Sequence, residues 1–399
     1  MNTSLNSNSV VLSLNGLLAH HKYLAESLAQ LRLLRRAVLF GNSLEVFEAV
    51  SSGQLRLRRR FSSYRFCNRV ISGLSRRAPA FMRGPWPSLA LSFFVERAIS
   101  ATIPSCAVFH GMMGVCLSGL RRAKDFNAVT LVDTATLHPL AFNREVLAAC
   151  ERSGVRPRNC EHFMPRILLD RLEREYEGCD KIVVYSAASQ RTFASFSYAR
   201  KTQVLHPGID HCLFTPRAGP RRDAIFRVCY VGRIEAAKGL DYLIEAWDRL
   251  ALYNAELLLI GRVFPEIAEM LAKSSVSTIQ VAGILSREEV ARQYAQSDLF
   301  VFPSVNEGLS LALLEAMSSG LPAIACRNTG ADDCILSGTN GLLLSGSSVD
   351  GLADAIQWSY EHRDESAEMG RRARNTIEER FTLEHYVERL IGLYERSSG

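Results

Sequence analysis

The stretch Asp298-Leu-Phe-Val-Phe-Pro-Ser-Val-Asn-Glu-Gly-Leu-Ser-Leu-Ala-Leu-Leu-Glu-Ala-Met-Ser-Ser-Gly-Leu-Pro322 reads as a buried strand, a tight loop and a helix. The apolar run Leu299 to Phe302 has strand length, and Pro303 and Ser304 break it. Gly308 to Ser319 then shows helical spacing until Gly320 and Pro322 stop it. A helix starting there exposes backbone N–H groups at Gly308, Leu309 and Ser310, and with the helix dipole these favour an anion.

Glu307 sits just before this helix and Glu315 lies eight residues later. At a helical rise of about 1.5 Å per residue the two acids stand roughly 10 Å apart. That span suits a diphosphate carrying a sugar at one end, held by Glu307, and a ribose at the other, held by Glu315. The plainer alternative makes Glu307 a helix N-terminal acid and Glu315 a solvated helical glutamate.

A second cluster, Val231-Gly-Arg-Ile-Glu-Ala-Ala-Lys-Gly239, places Gly232, Arg233 and Lys238 in the loop leaving a strand. Such loops are where open parallel sheets bind ligands. Arg233 can grip diphosphate oxygens in a bidentate fork, and Lys238 adds a compact charge. Gly261-Arg262 and Gly283-Ile284 lie at further strand ends, where they suit contacts to a base or ordinary turns equally well.

The Glu, seven residues, Glu frame with its Ala-Met-x-x-Gly-x-Pro ending resembles the signature of retaining glycosyltransferase family 4, among the group 1 glycosyl transferases. The Gly-Arg and Lys-Gly frames of residues 231–239, the run Asp298 to Ser304, Gly330 with Asp332 and Asp333, and Ile182-Val-Val-Tyr-Ser186 follow the same pattern. The resemblance spans most of residues 180–399 and is loose before them. Where members carry a Gly-rich loop after the first strand, only Asn15-Gly16-Leu17 stands here.

The resemblance implies an α/β GT-B architecture of two Rossmann-like, doubly wound parallel-sheet domains facing a central cleft. Residues 1–206 would bind acceptor, residues 207–380 would bind donor, and a last helix at about 381–399 would cross back to the first domain. It implies a retaining enzyme that moves a sugar from a nucleotide-diphosphate donor to an acceptor hydroxyl. Glu307, Arg233 and Lys238 would act at the reacting centre, with Gly232, Gly308, Leu309, Ser310, Glu315, Gly283 and Ile284 around the donor. Members also place a histidine near the sugar. His138 in Val132-Asp133-Thr-Ala-Thr-Leu-His138 is the preferred match, with Asp133 and His110 as alternatives. No cofactor or metal is expected, since no Asp-x-Asp pair is present to hold Mg²⁺ on a diphosphate. Rival readings on the same architecture are a sugar-nucleotide epimerase or hydrolase and a non-catalytic nucleotide-sugar-binding scaffold.

A chain of 399 residues with 47% hydrophobic and 22% charged residues supports two ordinary domains and does not point to disorder. Met1 to Val10 lacks the basic and apolar regions of a secretory signal, so a cytoplasmic protein is expected. The ten cysteines form no Cys-x-x-Cys pair and no zinc spacing, and read as reduced core thiols. Ala98 to Leu120 is charge-poor but holds Pro104, Gly111, Gly114 and Gly119, which favours strand, turn and helix over a membrane span.

The formal charge of +6 is unevenly spread: no acid falls between Ala49 and Val95, which hold Arg56, Arg58, Arg59, Arg60, Arg65, Arg69, Arg76, Arg77 and Arg83. Apolar side chains interleave them, which suits an anionic membrane face or a lipid-diphosphate acceptor, while the resemblance implies a glycan or lipid-linked acceptor. The chain carries six lysines against 41 arginines, so an ordinary solvated face of an arginine-rich protein is the competing explanation. Nucleic acid is not expected, because no binding motif accompanies the basic stretch. The localisation expected is cytoplasmic and peripheral on the inner membrane face, and the resemblance implies a part in bacterial polysaccharide or glycolipid synthesis.

Strands are expected at Val10 to Leu14, Ala37 to Phe40, Cys106 to Phe109, Ala128 to Val132 and Lys181 to Tyr185, and helices at Leu24 to Leu33, Leu140 to Cys150 and Pro165 to Glu177. His206-Pro-Gly-Ile-Asp210 with Pro216, Gly219 and Pro220 marks a linker. A cleaner alternation of strand and helix follows from Arg227 to Phe302, then helices to the C-terminus, as in a second doubly wound sheet.

Overall fold

The computed structural model describes residues 7, 9–15, 19–40, 44–49, 54–61, 96–97, 100–157, 160, 162–219, 223–274, 278–304, 306–327 and 329–398. Among them the strands form two sheets. In the first, β1 (Val10–Asn15), β2 (Leu34–Phe40), β5 (Val108–Met112), β6 (Val129–Thr134), β7 (Lys181–Val184) and β8 (Thr202–Val204) run parallel. The strands β3 (Leu44–Ala49) and β4 (Leu55–Phe61) extend its edge in antiparallel fashion, giving the order β4-β3-β2-β1-β5-β6-β7-β8.

That extension differs from the sequence reading, which saw residues 56–61 as part of a basic amphipathic surface. Leu55-Arg56-Leu57-Arg58 alternates with the period of a strand, and its pairing partner supplies a counter-charge. Glu48 on β3 pairs with Arg36 and lies 2.5 Å from Arg58. Arg65, Arg69, Arg76, Arg77 and Arg83 of the basic stretch, with Gly16 and Leu17 of the expected first loop, lie outside the described residues.

Among the described residues, the complete helices of the first domain are α1 (Ala19–Gln30), α2 (Leu117–Lys124), α3 (Pro139–Ser153), α4 (Arg166–Gly178) and α5 (Ala187–Ala194). No helix among the described residues is long and apolar enough to cross a membrane, and residues 108–120 form β5, a turn and the start of α2.

The second sheet joins β9 (Phe226–Val231), β10 (Ala255–Ile260), β11 (Ile279–Gly283), β12 (Leu299–Phe302), β13 (Ala323–Cys326) and β14 (Leu342–Leu344), all parallel, in the order β11-β10-β9-β12-β13-β14. Every residue of β12 is buried, as a strand covered by helices on both faces must be. The helices are α6 (Leu240–Leu250), α7 (Pro265–Lys273), α8 (Arg287–Gln296), α9 (Leu311–Ser318), α10 (Val349–Glu361) and α11 (Arg363–Arg380). In α6 the buried Leu240, Leu243, Ile244 and Trp247 follow the helical period and face the sheet. The winding reverses between β9 and β12, so the crevice of this sheet opens at their carboxyl ends.

The last helix, α12 (Leu383–Ser398), returns to the first domain. Its Tyr386, Leu390 and Tyr394 are fully buried in one cluster with Leu24 and Leu28 of α1. Burial of each such large side chain contributes about 1.5–3 kcal/mol relative to exposure. The connecting segment is threaded tightly: Ile209 bridges Thr382, and a Cβ on Gly208 would stand 2.7 Å from the Cα of Leu383.

Candidate functional site

The loops at the ends of β9, β10 and β12 are held together by backbone contacts that only glycine allows. Gly232 and Gly261 take φ of 151° and 145°, and a Cβ on Gly261 would lie 1.7 Å from the Gly232 carbonyl oxygen. Gly239, at φ 71°, ends the short 3₁₀ turn Ala236–Lys238, and a Cβ there would meet the Pro303 carbonyl oxygen at 2.3 Å. These contacts carry Arg233 and Lys238 to the loop that follows β12.

There Lys238 Nζ donates to Glu307 Oε1 at 2.6 Å, and it stands 3.5 Å from the Asn306 carbonyl oxygen. Arg233 donates to Glu235 through Nε at 3.0 Å and a terminal nitrogen at 3.2 Å. Its guanidinium lies over the Phe264 ring at 4.3 Å, as does that of Arg262. Both expected cations are therefore present at the crevice, each engaged by a carboxylate that a diphosphate can replace.

Glu315 lies on α9, 3.6 Å from Arg287. Burial pushes its carboxyl up to about 7 despite the opposing charge of Arg287. At neutral pH a large share of it therefore carries a proton, ready to donate as well as accept. Gly283, at φ 71° with open space around it, ends β11, and the neighbouring Ile284 is 78% exposed. An apolar side chain left bare at the carboxyl end of a strand suits the flat face of a ligand.

The helix begins three residues later than the sequence spacing indicates. Ser310 is the N-cap, its Oγ accepting from the Leu313 amide at 3.4 Å, and α9 starts at Leu311. Gly308 and Leu309 instead belong to the loop, where tertiary contacts hold them. A Cβ on Gly308 would lie 2.3 Å from the Ala135 carbonyl oxygen of the first domain, and Gly330 packs on its other side. The outward first-turn amides are those of Leu311 and Ala312. Glu307 consequently sits off the helix, and the helical spacing between the two glutamates does not apply.

His138 is not brought to this group. It is the N-cap of α3, Nδ1 accepting from the Leu140 amide at 3.4 Å. The ring stacks on Phe196 at 3.9 Å with Phe193 and Tyr198 around it, and Nε2 stands 3.2 Å from Glu173. Burial lowers its pKa to about 4. Those described contacts all lie within the first domain, because the helix start that His138 caps faces the aromatic packing between α3 and α5.

Asp133 and His110, the alternatives, are fully buried beneath the sheet's carboxyl edge. Asp133 Oδ2 lies 3.3 Å from His21 and 3.5 Å from His110. His110 pairs with the Tyr394 hydroxyl at 2.8 Å, and Tyr185 joins His20 and His21 at 3.0 and 3.2 Å. Burial resists ionisation of Asp133, yet the hydrogen bonds from His110 and His21 hold its carboxyl well below the usual range.

Sequence reasoning missed the residues that join the two domains across the site. His162 donates to Glu235 at 2.6 Å, Arg152 to Asp241 at 2.6 Å and to the Ala236 carbonyl oxygen at 3.0 Å, and Asn306 to the Phe142 carbonyl oxygen at 3.3 Å. Asp333 accepts from the Ala187 amide at 2.8 Å and His206 at 2.9 Å. Glu235 carried a signal in sequence, since it stands between Arg233 and Lys238, and Asp333 stood in the pattern with Gly330 and Asp332, but neither showed its partner in the other domain.

Residues 225–362, which contain the loops after β9 to β12, match the family model described as Glycosyl transferases group 1. The chain is similar to the D-inositol 3-phosphate glycosyltransferase of an Arthrobacter species, 27% identical over 60% of this chain and 59% of that protein. It is also similar to a GDP-mannose-dependent alpha-(1-6)-phosphatidylinositol monomannoside mannosyltransferase of Mycobacterium tuberculosis, 28% identical over 52% of this chain and 59% of that one. The chain thus spans about three fifths of the length of each of these relatives. Sucrose-phosphate synthase from Thermosynechococcus elongatus shares the fold at a TM-score of 0.72 and 19% identity, over 97% of this chain and 98% of that one. Residues 225–362 are thus similar to the glycosyl transferases group 1 family, and the chain as a whole takes the two-domain GT-B fold.

Proposed function

We propose that this protein is a retaining glycosyltransferase of family 4 that moves a sugar from a nucleotide-diphosphate donor to an acceptor hydroxyl. The observation that carries the reading is the convergence of Arg233 and Lys238 with Glu307 at the switch point of the second sheet. In this reading Arg233, Lys238 and the first-turn amides of α9 bind the diphosphate and stabilise the charge that grows on it as the sugar leaves. Two fixed cations take the place a divalent metal would have, and no metal cofactor is required. Glu307 orients the sugar, Glu315 holds the ribose, and Gly283 and Ile284 flank the base.

The transfer is a same-face displacement in which the leaving phosphate takes the acceptor's proton, so no enzymic nucleophile is needed. The relatives named above act on inositol phosphate or phosphatidylinositol mannoside, and a glycan or lipid-linked acceptor is proposed here by that likeness. The exposed Arg56 and Arg58 on the edge strand β4 support docking at an anionic membrane surface, on the cytoplasmic side.

A melting-temperature panel of nucleotide-diphosphate sugars tests the reading, since a ligand that binds only the folded state raises the transition. The expected result is that one donor stabilises the wild type and fails to stabilise Lys238→Ala. That donor is then incubated with and without lipid-linked and glycan acceptors in the presence of EDTA. Transfer that survives EDTA supports the proposal. Donor conversion that needs no acceptor would replace it with an epimerase or hydrolase, and the absence of any donor effect with a scaffold.

A further inference from the structure

Glu235 lies between the two domains and has a partner in each. Its carboxylate is 3% exposed and accepts from His162 of the first domain at 2.6 Å and from Arg233 of the second at 3.0 and 3.2 Å. A carboxylate only accepts, so Nε2 of His162 carries the hydrogen. Burial works against the charge, but the hydrogen bond from His162, with Arg233, draws the carboxyl down to about 2, and Glu235 is ionised at neutral pH.

This arrangement matters at the moment a diphosphate arrives. Arg233 must turn part or all of its fork from Glu235 to phosphate oxygens, and a buried carboxylate left without a partner is strongly unfavourable. His162 already holds Oε1, the oxygen that Arg233 Nε also contacts, so Glu235 keeps a hydrogen bond when Arg233 leaves. The same part of the first domain grips the turn from its other side, through Arg152 to the Ala236 carbonyl oxygen and to Asp241. His162 is therefore present at Glu235 only while the domains are in contact.

We propose that His162 is a positioning residue of the donor site: by holding Glu235 it releases Arg233 to the donor diphosphate, and so couples domain contact to phosphate binding. The proposal rests on the donor-site reading above. It makes the first domain a participant in donor affinity through a side chain that does not itself touch the donor.

The test is a double-mutant cycle read by calorimetric binding of UDP, GDP, ADP, CDP and dTDP to the full chain. His162→Ala is expected to weaken the bound nucleotide about tenfold, a change of about 1.4 kcal/mol. His162→Gln, which keeps an N–H donor, is expected to recover most of that loss. In a Glu235→Gln background, where no charge needs a partner, His162→Ala is expected to have no further effect. In steady-state assays the donor KM rises in His162→Ala while kcat changes little.

Wild-type affinity in His162→Ala would overturn the proposal, as would equal losses in both backgrounds or failure of the glutamine to rescue. If Glu235→Gln does not fold, the alanine and glutamine variants at position 162 decide between them. Failure of the donor reading looks different. In that case the wild type binds none of the five nucleotides, or Lys238→Ala binds as well as wild type.

Discussion

Two clusters of acids and bases sit at the carboxyl ends of the two sheets, and they are built in opposite ways. Around the second sheet, the side chains of Lys238 and Glu307 are 13% and 21% exposed, as the proposed exchange of partners with a ligand requires. Beneath the first, Asp133, His21 and His110 are wholly buried and locked to one another and to Tyr394. The same residue types are thus left partly open to solvent in one cluster and sealed into the architecture in the other. A histidine or an aspartate at a strand end does not announce which, and accessibility decides.

The sharpest way to break this comparison is to open the sealed cluster. Asp133→Ala removes the shared partner of two buried histidines and is expected to cost about 3–5 kcal/mol of stability. Urea denaturation measures it, and nucleotide binding by the fraction that remains folded should be preserved. A loss of binding without loss of stability would assign Asp133 to the site. The converse holds for the open cluster. Lys238→Ala and Glu307→Gln are expected to lower turnover on the order of 10²–10³-fold, the range for removing one group that stabilises developing charge. Their urea midpoints should stay near that of the wild type.

The pH dependence sharpens the contrast. His138 has a folded-state pKa of about 4 against an unfolded value near 6.5, so the unfolded chain binds the extra proton first as pH falls. Stability is then full above pH 6.5 and declines toward pH 4, by about 3 kcal/mol from this group. The buried His20, also lowered by desolvation, adds to the decline in the same direction. Chemical denaturation at stepped pH should show the slope, and His138→Asn, which keeps a capping acceptor, should flatten it. The smallest expected effect is at the start of α9. Ser310→Ala removes the cap and is expected to cost about 1 kcal/mol. A comparable rise in donor KM would follow, because the first-turn amides lose their fixed direction.

Much of the second domain was legible because its determinants are close in sequence. Leu299 to Phe302 matches the observed strand, and Arg233 and Lys238 stand in the loop that a Gly-rich strand end made visible. The first domain was less so. The hairpin β3–β4 carried its period-two signature in Leu55 to Arg58, but the density of arginine drew attention to charge and away from spacing. The start of α9 was misplaced because helical spacing continues through Gly308 and Leu309. The Ala135 carbonyl of the other domain, packed against Gly308, keeps them in the loop. His138 looked available because an N-cap histidine and an active-site histidine share the same local setting, the end of a loop before a helix.

By itself the amino-acid sequence determined the alternation of strands and helices and the positions of the charged loops. Hydrophobic period, glycine and proline act over a few residues and need no distant partner. Only the tertiary structure decided which ionisable groups are sealed and which are open. It alone joined His162 to Glu235 across 73 residues, His21 to Asp133 across 112 and His110 to Tyr394 across 284. Burial and counter-charge are properties of what surrounds a side chain, and for these residues the surroundings come from elements that meet only when the two sheets and the last helix assemble.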